Sequence, residues 1–269
     1  MIRVRTKDGE ITLTPTIFPD GTSQVWKVDP KILQSDEYLI TWNFESEREI
    51  IDLYSFRTLL TKFNGSNPFI TLHLPYLPYG RQDKEVGNES TFNLAVFAEL
   101  INNLSFDRVT SVDTHNSAAA HTLISNFRNI EVDQVHRKLI SLIEPTFIVF
   151  PDKGAMTRYG RNLSHIKTIF CDKIRDQATG QILGTTVNMG SNREFINRDR
   201  VLIIDDICDG GATFIGVAKA LREMNEHLKI YLFVTHGIFS KGKQHLISNE
   251  IDEIYTTNSL LQNKDGFPV

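Results

Sequence analysis

Residues 201–213 bring carboxylates and a glycine-containing turn close together in the sequence. The aliphatic residues 201–204 precede the adjacent acids Asp205 and Asp206, and a turn over residues 209–213 follows them. Apolar spacing predicts an amphipathic helix over residues 212–225, directly after the turn. Because backbone amides at a glycine-rich turn and at a helix N-terminus attract anions, this turn is suited to a phosphate group.

The same stretch predicts two roles for its residues. The carboxylates of Asp205 and Asp206 can hold sugar hydroxyls or a metal ion, while the turn holds a phosphate of the same sugar. This combination favours a ribose 5-phosphate group over the simpler alternative, an ordinary strand-to-helix turn with acidic caps. The predicted phosphate-binding residues are Asp209, Gly210, Gly211, Ala212 and Thr213.

The surrounding sequence predicts strands that alternate with helices. Helical spacing covers residues 47–63, and Ser90 or Thr91 can cap a further helix that follows them. A turn at Asp20-Gly21 predicts β-structure in the first 30 residues. Short apolar runs predict strands over residues 38–43, 69–72, 109–112, 146–150, 169–170, 201–204 and 230–234, and around residue 254.

This alternation predicts an α/β fold with mostly parallel sheets, in which ligands bind beyond the carboxyl ends of the strands. Two sets of strands and helices of similar size predict two stacked domains. We place the division within residues 136–146, which gives an N-terminal domain over residues 1–140 and a C-terminal domain over residues 141–269.

The composition excludes several classes of function. The 269 residues are 41% apolar and 23% charged, with a formal net charge of −4, so a nucleic-acid partner has no electrostatic support. The sequence has no signal-peptide core and no apolar run of membrane-spanning length, which predicts a cytoplasmic protein without a membrane partner. Cys171 and Cys208 predict neither a disulfide framework nor a zinc site, and Cys208 is expected to be a buried apolar residue.

A second segment, residues 78–84, also carries groups that can bind a nucleotide. The Arg81 guanidinium can pair with phosphate or stack on a purine, and the Gln82 amide can bond an adenine edge. The composition of this segment alone is equally compatible with a solvated, charged loop.

Both segments resemble those of one enzyme family. Residues 201–213 resemble the phosphoribosyl pyrophosphate loop shared by type I phosphoribosyltransferases and ribose-phosphate pyrophosphokinases. Residues 78–84 are similar to the PYxRQDK segment of the pyrophosphokinases, which the transferases lack. Further similarities follow in chain order at residues 18–21, 113–115, 150–154, 172–175, 235–240 and 257–259.

The chain is therefore identified as a short, divergent member of the ribose-phosphate pyrophosphokinase family, with two type I phosphoribosyltransferase-like domains. Two differences from the family pattern stand out: Thr22 takes the place of a Glu, and Gly210 takes a place where the family more often has Thr.

The resemblance also implies residue roles. The N-terminal domain would contribute the ATP site, with Phe18, Asp20, Arg81, Gln82 and Asp83 as nucleotide-binding residues. The C-terminal domain would bind the phosphoribosyl group, and residues 235–240 and 257–259 would shape the base of the sugar site.

The implied catalytic residues are Lys173, Arg175 and His115. Lys173 and Arg175 would close over the transferred group and neutralise its charge, and His115 and Asp152 would lie near Mg²⁺. The expected reaction is attack of the ribose 5-phosphate C1 hydroxyl on the β-phosphorus of ATP, which gives 5-phosphoribosyl 1-pyrophosphate and AMP. This reaction would serve nucleotide biosynthesis, and we expect a homo-oligomer, a dimer or larger.

Three alternatives remain open from the sequence. The acceptor could be a ribose with a larger C5 substituent, such as ADP-ribose, which would place the chain in NAD metabolism. A phosphoribosyltransferase would keep the 201–213 segment but would not need Arg81, Gln82 and Asp83. A non-catalytic, regulatory relative would bind nucleotides or partner subunits without turnover.

Overall fold

The structure is a computed structural model that describes the chain except for residues 65, 66, 86, 88, 176–181, 191 and 193. For residues 173–175, 182 and 183 it describes the backbone alone. The described residues divide into two compact units, Met1–Glu131 and Val132–Val269. The sequence placed this division between residues 140 and 141, and the difference is the helix over Asp133–Ile143, which belongs to the second unit.

The first unit contains β-strands and α-helices in alternation after an initial run of short strands. In chain order they are β1 (Ile2–Thr6), β2 (Gly9–Thr12), β3 (Thr16–Ile17), β4 (Ser23–Gln24), α1 (Pro30–Leu33), β5 (Glu37–Trp42), α2 (Glu49–Phe63), β6 (Phe69–Leu74), α3 (Asn93–Asn102), β7 (Arg108–Val112), α4 (Ser117–Leu123) and β8 (Phe127–Ile130).

Within the described residues, the main sheet of the first unit has six strands in the order β2-β1-β5-β6-β7-β8. Strands β5 to β8 are parallel, whereas β1 runs antiparallel to both β2 and β5. On β5 the side chains of Tyr38, Ile40 and Trp42 are buried because alternate residues of a strand face the same side. The carboxyl ends of β6 and β7 therefore lie side by side at one edge of this sheet.

The start of α3 differs from the prediction. Its N-cap residue is Phe92, and no side chain caps the helix. The Thr91 hydroxyl donates instead to the side-chain oxygen of Asn93 at 2.7 Å, so the predicted cap at Ser90 or Thr91 is wrong. The β-structure predicted around Asp20-Gly21 is present, since β3 and β4 pair antiparallel on either side of that turn.

The second unit repeats the alternation of strands and helices. In chain order its elements are α5 (Asp133–Ile143), β9 (Phe147–Phe150), α6 (Lys153–Tyr159), β10 (Lys167–Arg175), β11 (Ile182–Asn188), β12 (Arg200–Cys208), α7 (Ala212–Met224), β13 (Lys229–Gly237), α8 (Lys243–Ile247) and β14 (Glu253–Thr256).

In the described part of this unit the strand order is β11-β10-β9-β12-β13-β14, and every neighbouring pair except β10 with β11 is parallel. Strand β10, which follows β9 in the chain, pairs with one edge of β9, and the later strand β12 pairs with its opposite edge. The connections therefore reverse direction between β9 and β12, which is where open parallel sheets bind ligands. The predicted α/β class with mostly parallel strands is confirmed.

Strand β12 is longer than predicted. Its pairing with β9 ends at Ile203, but its pairing with β13 extends to Cys208, because β13 itself continues to Gly237. The acids that follow residue 204 therefore belong to the strand and lie beside the end of β9. Within the described residues, none of the helices is both long and apolar enough to cross a lipid bilayer.

Candidate active site

The switch point between β9 and β12 carries the predicted ribose-phosphate residues. Asp205 and Asp206 lie on the last part of β12, and residues 209–211 lead directly into α7. Gly211 is the N-cap of α7 and has φ of 82°, a left-handed conformation that favours glycine. The sequence prediction that this turn opens a helix is confirmed.

The turn is packed from one side, and little room is left at Gly211. A Cβ atom added to Gly211 would lie 2.4 Å from the Leu246 side chain of α8. The Cys208 carbonyl accepts from the amides of Ile238 and Phe239 at 2.9 and 3.1 Å, which joins the turn to the end of β13. Hydrogen bonds at Cys208 and the packing of Leu246 against Gly211 thus support the turn from both ends.

The two adjacent acids have different surroundings. The two residues are nonetheless in contact, since the Asp206 amide donates to an Asp205 carboxylate oxygen at 2.9 Å. An oxygen of Asp206, whose side chain is 6% exposed, accepts from the Arg158 guanidinium of α6 at 2.9 Å. Arg158 was not among the predicted site residues, and the sequence contains no signal that pairs it with Asp206.

Asp205 lies close to other negatively charged side chains. Burial, followed by the charge of Asp206 and then that of Asp152, raises the pKa of the Asp205 carboxyl well above its ordinary value. A cation or a row of hydroxyl donors at this position would relieve that charge. The environment of Asp205 therefore suits a ligand that brings one or both.

Asp152 begins α6 next to the switch point. Its side-chain oxygen accepts from the Ala155 amide at 3.1 Å, so one oxygen serves as the helix cap. In the following strand, Asp172 is exposed and pairs with Lys153 at 3.7 Å. The predicted catalytic residues Lys173 and Arg175 lie on β10 by their backbone, but their side chains are outside the described part of the structure.

The residues predicted to form the base of the sugar site lie together. The Thr257 hydroxyl donates to the Thr235 carbonyl at 2.6 Å, and the buried His236 ring nitrogen Nδ1 lies 2.8 Å from the Ser259 hydroxyl. Cys208 beside them is buried as predicted, and burial raises the pKa of its thiol to about 12. These contacts connect the end of β13 with the residues that follow β14, next to the turn over residues 209–213.

In the first unit, the structure brings two of the predicted nucleotide segments together. Residues 78–84 follow β6, and Asp113-Thr114-His115 follows the neighbouring β7. An Asp83 oxygen accepts from the side-chain amide of Asn116 at 2.7 Å. Asn116 also caps α4, through the Ala119 amide, and it was missed at the sequence level although it directly follows His115.

Segment 78–84 packs against α3 through some of its side chains and exposes others to solvent. The Gln82 side-chain oxygen accepts from Asn93 at 2.7 Å, while the side chains of Arg81 and His115 are exposed. Tyr79 packs its ring 5.5 Å from that of Phe97 and donates to Glu47, a bond that raises the pKa of its hydroxyl to about 12. The segment therefore presents its cationic and amide groups to solvent on a buried aromatic base.

The predicted adenine-contacting residues Phe18 and Asp20 lie on the β3–β4 hairpin. Phe18 is 40% exposed. The hydroxyl and then the amide of Thr22 donate to Asp20 and lower the pKa of its carboxyl. Thr22, which differs from the family pattern, is thus used to close the turn.

The predicted metal residues belong to different units, with His115 in the first and Asp152 in the second. Among the described residues, no group of three or more His, Cys, Asp or Glu side chains is arranged to hold a metal ion. Mg²⁺ often binds through one or two carboxylates together with substrate phosphates. The oxygen ligands of Asp152 and the charge around Asp205 fit a magnesium ion that arrives with a nucleotide.

Comparisons with known proteins find similarity to ribose-phosphate pyrophosphokinases. A family model described as the phosphoribosyl synthetase-associated domain matches residues 196–266. Ribose-phosphate pyrophosphokinase from Mycoplasmopsis pulmonis is 29% identical, over 93% of this chain and 77% of that protein. The protein of the same name from Thermoplasma volcanium is 23% identical, over 90% of this chain and 82% of its own length.

A solved structure shows the fold. Phosphoribosylpyrophosphate synthetase from Mycobacterium smegmatis matches with a TM-score of 0.73 at 21% identity, and the match covers 94% of this chain and 82% of that one.

Proposed function

The chain belongs to the ribose-phosphate pyrophosphokinase family, and we propose that it transfers the β,γ-pyrophosphoryl group of ATP to the C1 hydroxyl of ribose 5-phosphate. The C1 oxygen attacks the β-phosphorus, the bond from that phosphorus to the α-phosphate oxygen breaks, and AMP leaves. The products are AMP and 5-phosphoribosyl 1-pyrophosphate. The protein is thus a transferase.

One observation carries the proposal: a rigid turn and two acids meet at the switch point of the second sheet. The amides of residues 209–213 lie at the N-terminus of α7, a 13-residue helix whose dipole favours an anion. Asp205 and Asp206 lie a few residues earlier on the adjoining strand. A sugar phosphate fits this arrangement, since its phosphate would meet the amides and its hydroxyls would meet the carboxylates.

In this proposal Asp205 and Asp206 bind the ribose 2- and 3-hydroxyls, and the turn with the Thr213 hydroxyl binds the 5-phosphate. The surroundings of Asp205 support its role, because burial and the charges of Asp206 and Asp152 raise the pKa of its carboxyl, and hydroxyl donors from a sugar would stabilise the charged form. Arg158 supports Asp206 by neutralising it on the side that faces α6.

The nucleotide is assigned to the first unit. Arg81 and Gln82 would hold phosphate and adenine groups, Asp83 and its Asn116 partner would position the adjoining loop, and Phe18 and Asp20 would contact the base. The exposed position of Arg81 and His115 at the ends of neighbouring strands supports this assignment.

Charge neutralisation provides much of the acceleration in phosphoryl transfer, together with positioning. We assign Lys173 and Arg175 to the charge that develops on the migrating group, and His115 and Asp152 to the surroundings of the magnesium ion. Mg²⁺, brought in with ATP, supplies positive charge to the phosphate oxygens. The residues of this chain would position the two substrates, and the proton of the C1 hydroxyl passes to solvent water as the bond to phosphorus forms.

The test is to incubate the purified protein with ATP, Mg²⁺ and single ribose acceptors, and to identify products by mass. Ribose 5-phosphate should give AMP and 5-phosphoribosyl 1-pyrophosphate, whereas ribose without a phosphate should give little product. Formation of a pyrophosphorylated product from ADP-ribose but not from ribose 5-phosphate would assign a different acceptor. ATP binding without AMP release from any acceptor would contradict the proposed enzyme.

A further inference from the structure

The segment that follows β13 places two lysines near the phosphate turn. Residues 240–243 read Ser-Lys-Gly-Lys and connect β13 to α8. Hydrogen bonds from the amides of Ile238 and Phe239 hold the start of this connection against Cys208. Leu246 of α8 lies against Gly211 at the far end. The connection is therefore fixed to the turn on both sides of the lysines.

Lys241 lies directly against the turn. A Cβ atom added to Gly210 would be 3.5 Å from Cε and 3.7 Å from Cδ of Lys241, which is ordinary van der Waals contact. The ammonium nitrogen is one bond beyond Cε. The Lys241 stem thus lies beside Gly210, in the middle of the turn, and its ammonium group is one bond beyond that contact.

Gly210 itself does not require glycine for its backbone. It is not among the glycines with positive φ, and the atoms nearest to an added Cβ are Cε and Cδ of Lys241 and the Ser240 hydroxyl oxygen, the last at 3.7 Å. The Lys241 stem therefore lies within ordinary contact distance of residue 210.

Lys241 would add a positive charge to a turn whose own side chains have none. The turn over residues 209–213 contains one acid and no cation, and Asp205 and Asp206 precede it. A phosphate monoester carries close to two negative charges at neutral pH. A cation at Gly210 would offset the repulsion between that phosphate and Asp209, and would strengthen the amide contacts.

We propose that Lys241 is a specificity-determining residue, whose ammonium binds the phosphate monoester held by the turn over residues 209–213. The inference rests on the proposed function, because it takes that turn as the site of the 5-phosphate. It adds a side-chain cation to a site otherwise built from backbone amides and one hydroxyl. The residue thereby selects phosphorylated ribose over ribose.

Lys243 is the matched control in the same segment. Its Nζ lies 5.3 Å from the centre of the Phe239 ring, so it is directed at that ring. Lys243→Gln removes the same charge, from a residue two positions away, and should leave the affinity for ribose 5-phosphate within twofold.

The first measurement is the dissociation constant of ribose 5-phosphate without ATP, by calorimetry on the full chain. Lys241→Gln should raise it about tenfold, the effect of about 1.4 kcal/mol expected for one charged hydrogen bond. Lys241→Arg should recover most of the affinity. Equal constants for wild type and Lys241→Gln, or equal losses in the two glutamine variants, would overturn the inference.

The second measurement separates this inference from the proposed reaction. In steady state, Lys241→Gln should raise KM for ribose 5-phosphate with kcat and KM for ATP nearly unchanged. A wild-type protein that binds ribose 5-phosphate but releases no AMP would contradict the proposed reaction alone, and the binding constants would still test Lys241. A wild-type protein that binds no ribose 5-phosphate would overturn the role of Lys241 directly.

Discussion

At the scale of single residues, the phosphate turn depends on a glycine that no other residue can replace without strain. Gly211 combines a left-handed φ of 82° with a Leu246 side chain 2.4 Å from where a Cβ would stand. Gly211→Ala should therefore destabilise the protein by about 2 kcal/mol or more, from backbone strain and overpacking together. The measurement is the free energy of unfolding in urea.

The neighbouring glycine is the control for this substitution. Gly210 is outside the left-handed region and an added Cβ meets only ordinary contacts, so Gly210→Ala should change the free energy of unfolding by less than about 1 kcal/mol. Equal free energies of unfolding for the two alanine variants would contradict the claim that only Gly211 requires glycine.

A second residue predicts how stability depends on acidity. His136 on α5 is 2% exposed, with its ring edge-on to Tyr159 and Phe233, and neither ring nitrogen has a hydrogen-bond partner among the described residues. Burial lowers its pKa to about 4, against a smaller opposing effect of the Asp133 charge. The folded protein therefore holds His136 neutral over a pH range in which the unfolded chain is protonated.

The sign of the effect follows from this difference in pKa. Stability contributed by neutral His136 is complete above pH 6.5 and is lost as the pH falls from 6.5 towards 4, because only the unfolded chain gains a proton there. Between pH 7 and pH 5 the loss should be about 2 kcal/mol. His136→Leu should remove most of that pH dependence, measured by urea unfolding at both pH values, whereas substitution of the exposed His165 should not.

At the scale of elements, the apolar runs predicted the central strands well. Strands β5, β6, β7, β9 and β13 and helices α2 and α7 lie where the sequence placed them, since each has a continuous or periodic apolar pattern. Strand β8 was missed because only its first residue is buried, whereas helix α5 was overlooked although its buried residues Val135, His136, Leu139 and Ile143 recur at helical spacing. Strand β12 was cut short at residue 204, because pairing with β13 extends it through acids that local pattern cannot assign to a strand.

The candidate site likewise has parts that could be predicted from the sequence and parts that could not. The turn over residues 209–213 and the segments after β6 and β7 could be predicted because each is contiguous in the sequence. The pairings of Asp206 with Arg158 and of Asp83 with Asn116 could not, since each joins residues from separate elements that only the sheet order brings together.

The Arg158–Asp206 pair leads to a prediction about how α6 is fastened to β12. Asp206 is almost fully buried, so Arg158→Gln would leave its carboxylate without that counter-charge, and stability should fall by about 2–3 kcal/mol. The double variant with Asp206→Asn should recover most of the loss, because the buried charge is then removed. The exposed Arg161, just beyond the same helix, is the control, and Arg161→Gln should have little effect.

Unfolding of the wild type, Arg158→Gln, Asp206→Asn and the double variant forms a double-mutant cycle. An interaction energy near zero, meaning that the two single losses simply add, would show that Arg158 and Asp206 do not support each other. An activity assay on the same variants distinguishes the structural role of Arg158 from the proposed contact of Asp206 with ribose. Arg158→Gln should retain turnover below its unfolding midpoint, whereas Asp206→Asn should raise KM for ribose 5-phosphate.

At the scale of the whole molecule, each unit has its own sheet and its own buried core. The first core contains residues from β1 to β8, and the second contains residues from β9 to α8 and beyond. The proposed sugar-phosphate residues 205–213 all belong to the second unit, and the segment over residues 78–84 belongs to the first. Ligand effects should therefore divide between the units in the same way.

Hydrogen exchange tests this division on the intact chain. Ribose 5-phosphate alone should slow exchange at the amides of residues 209–213, because these amides are the groups proposed to bind its phosphate. ATP with Mg²⁺ but without an acceptor should slow exchange in residues 79–85 and 113–116, while ribose 5-phosphate alone should leave those segments unchanged. Inorganic phosphate is the control for charge alone, and it should protect the turn more weakly because it makes no contact with Asp205 or Asp206.

The two ligands together should protect both sets of amides, since ATP is assigned to the first unit and ribose 5-phosphate to the second. Protection by ribose 5-phosphate confined to residues 79–85 would mean that the sugar phosphate binds the first unit, and the assignment of the turn would be wrong. The Lys241→Gln variant sharpens the same measurement. It should weaken protection of residues 209–213 by ribose 5-phosphate without altering the response of the first unit to ATP, because Lys241 belongs to the second unit and lies against that turn.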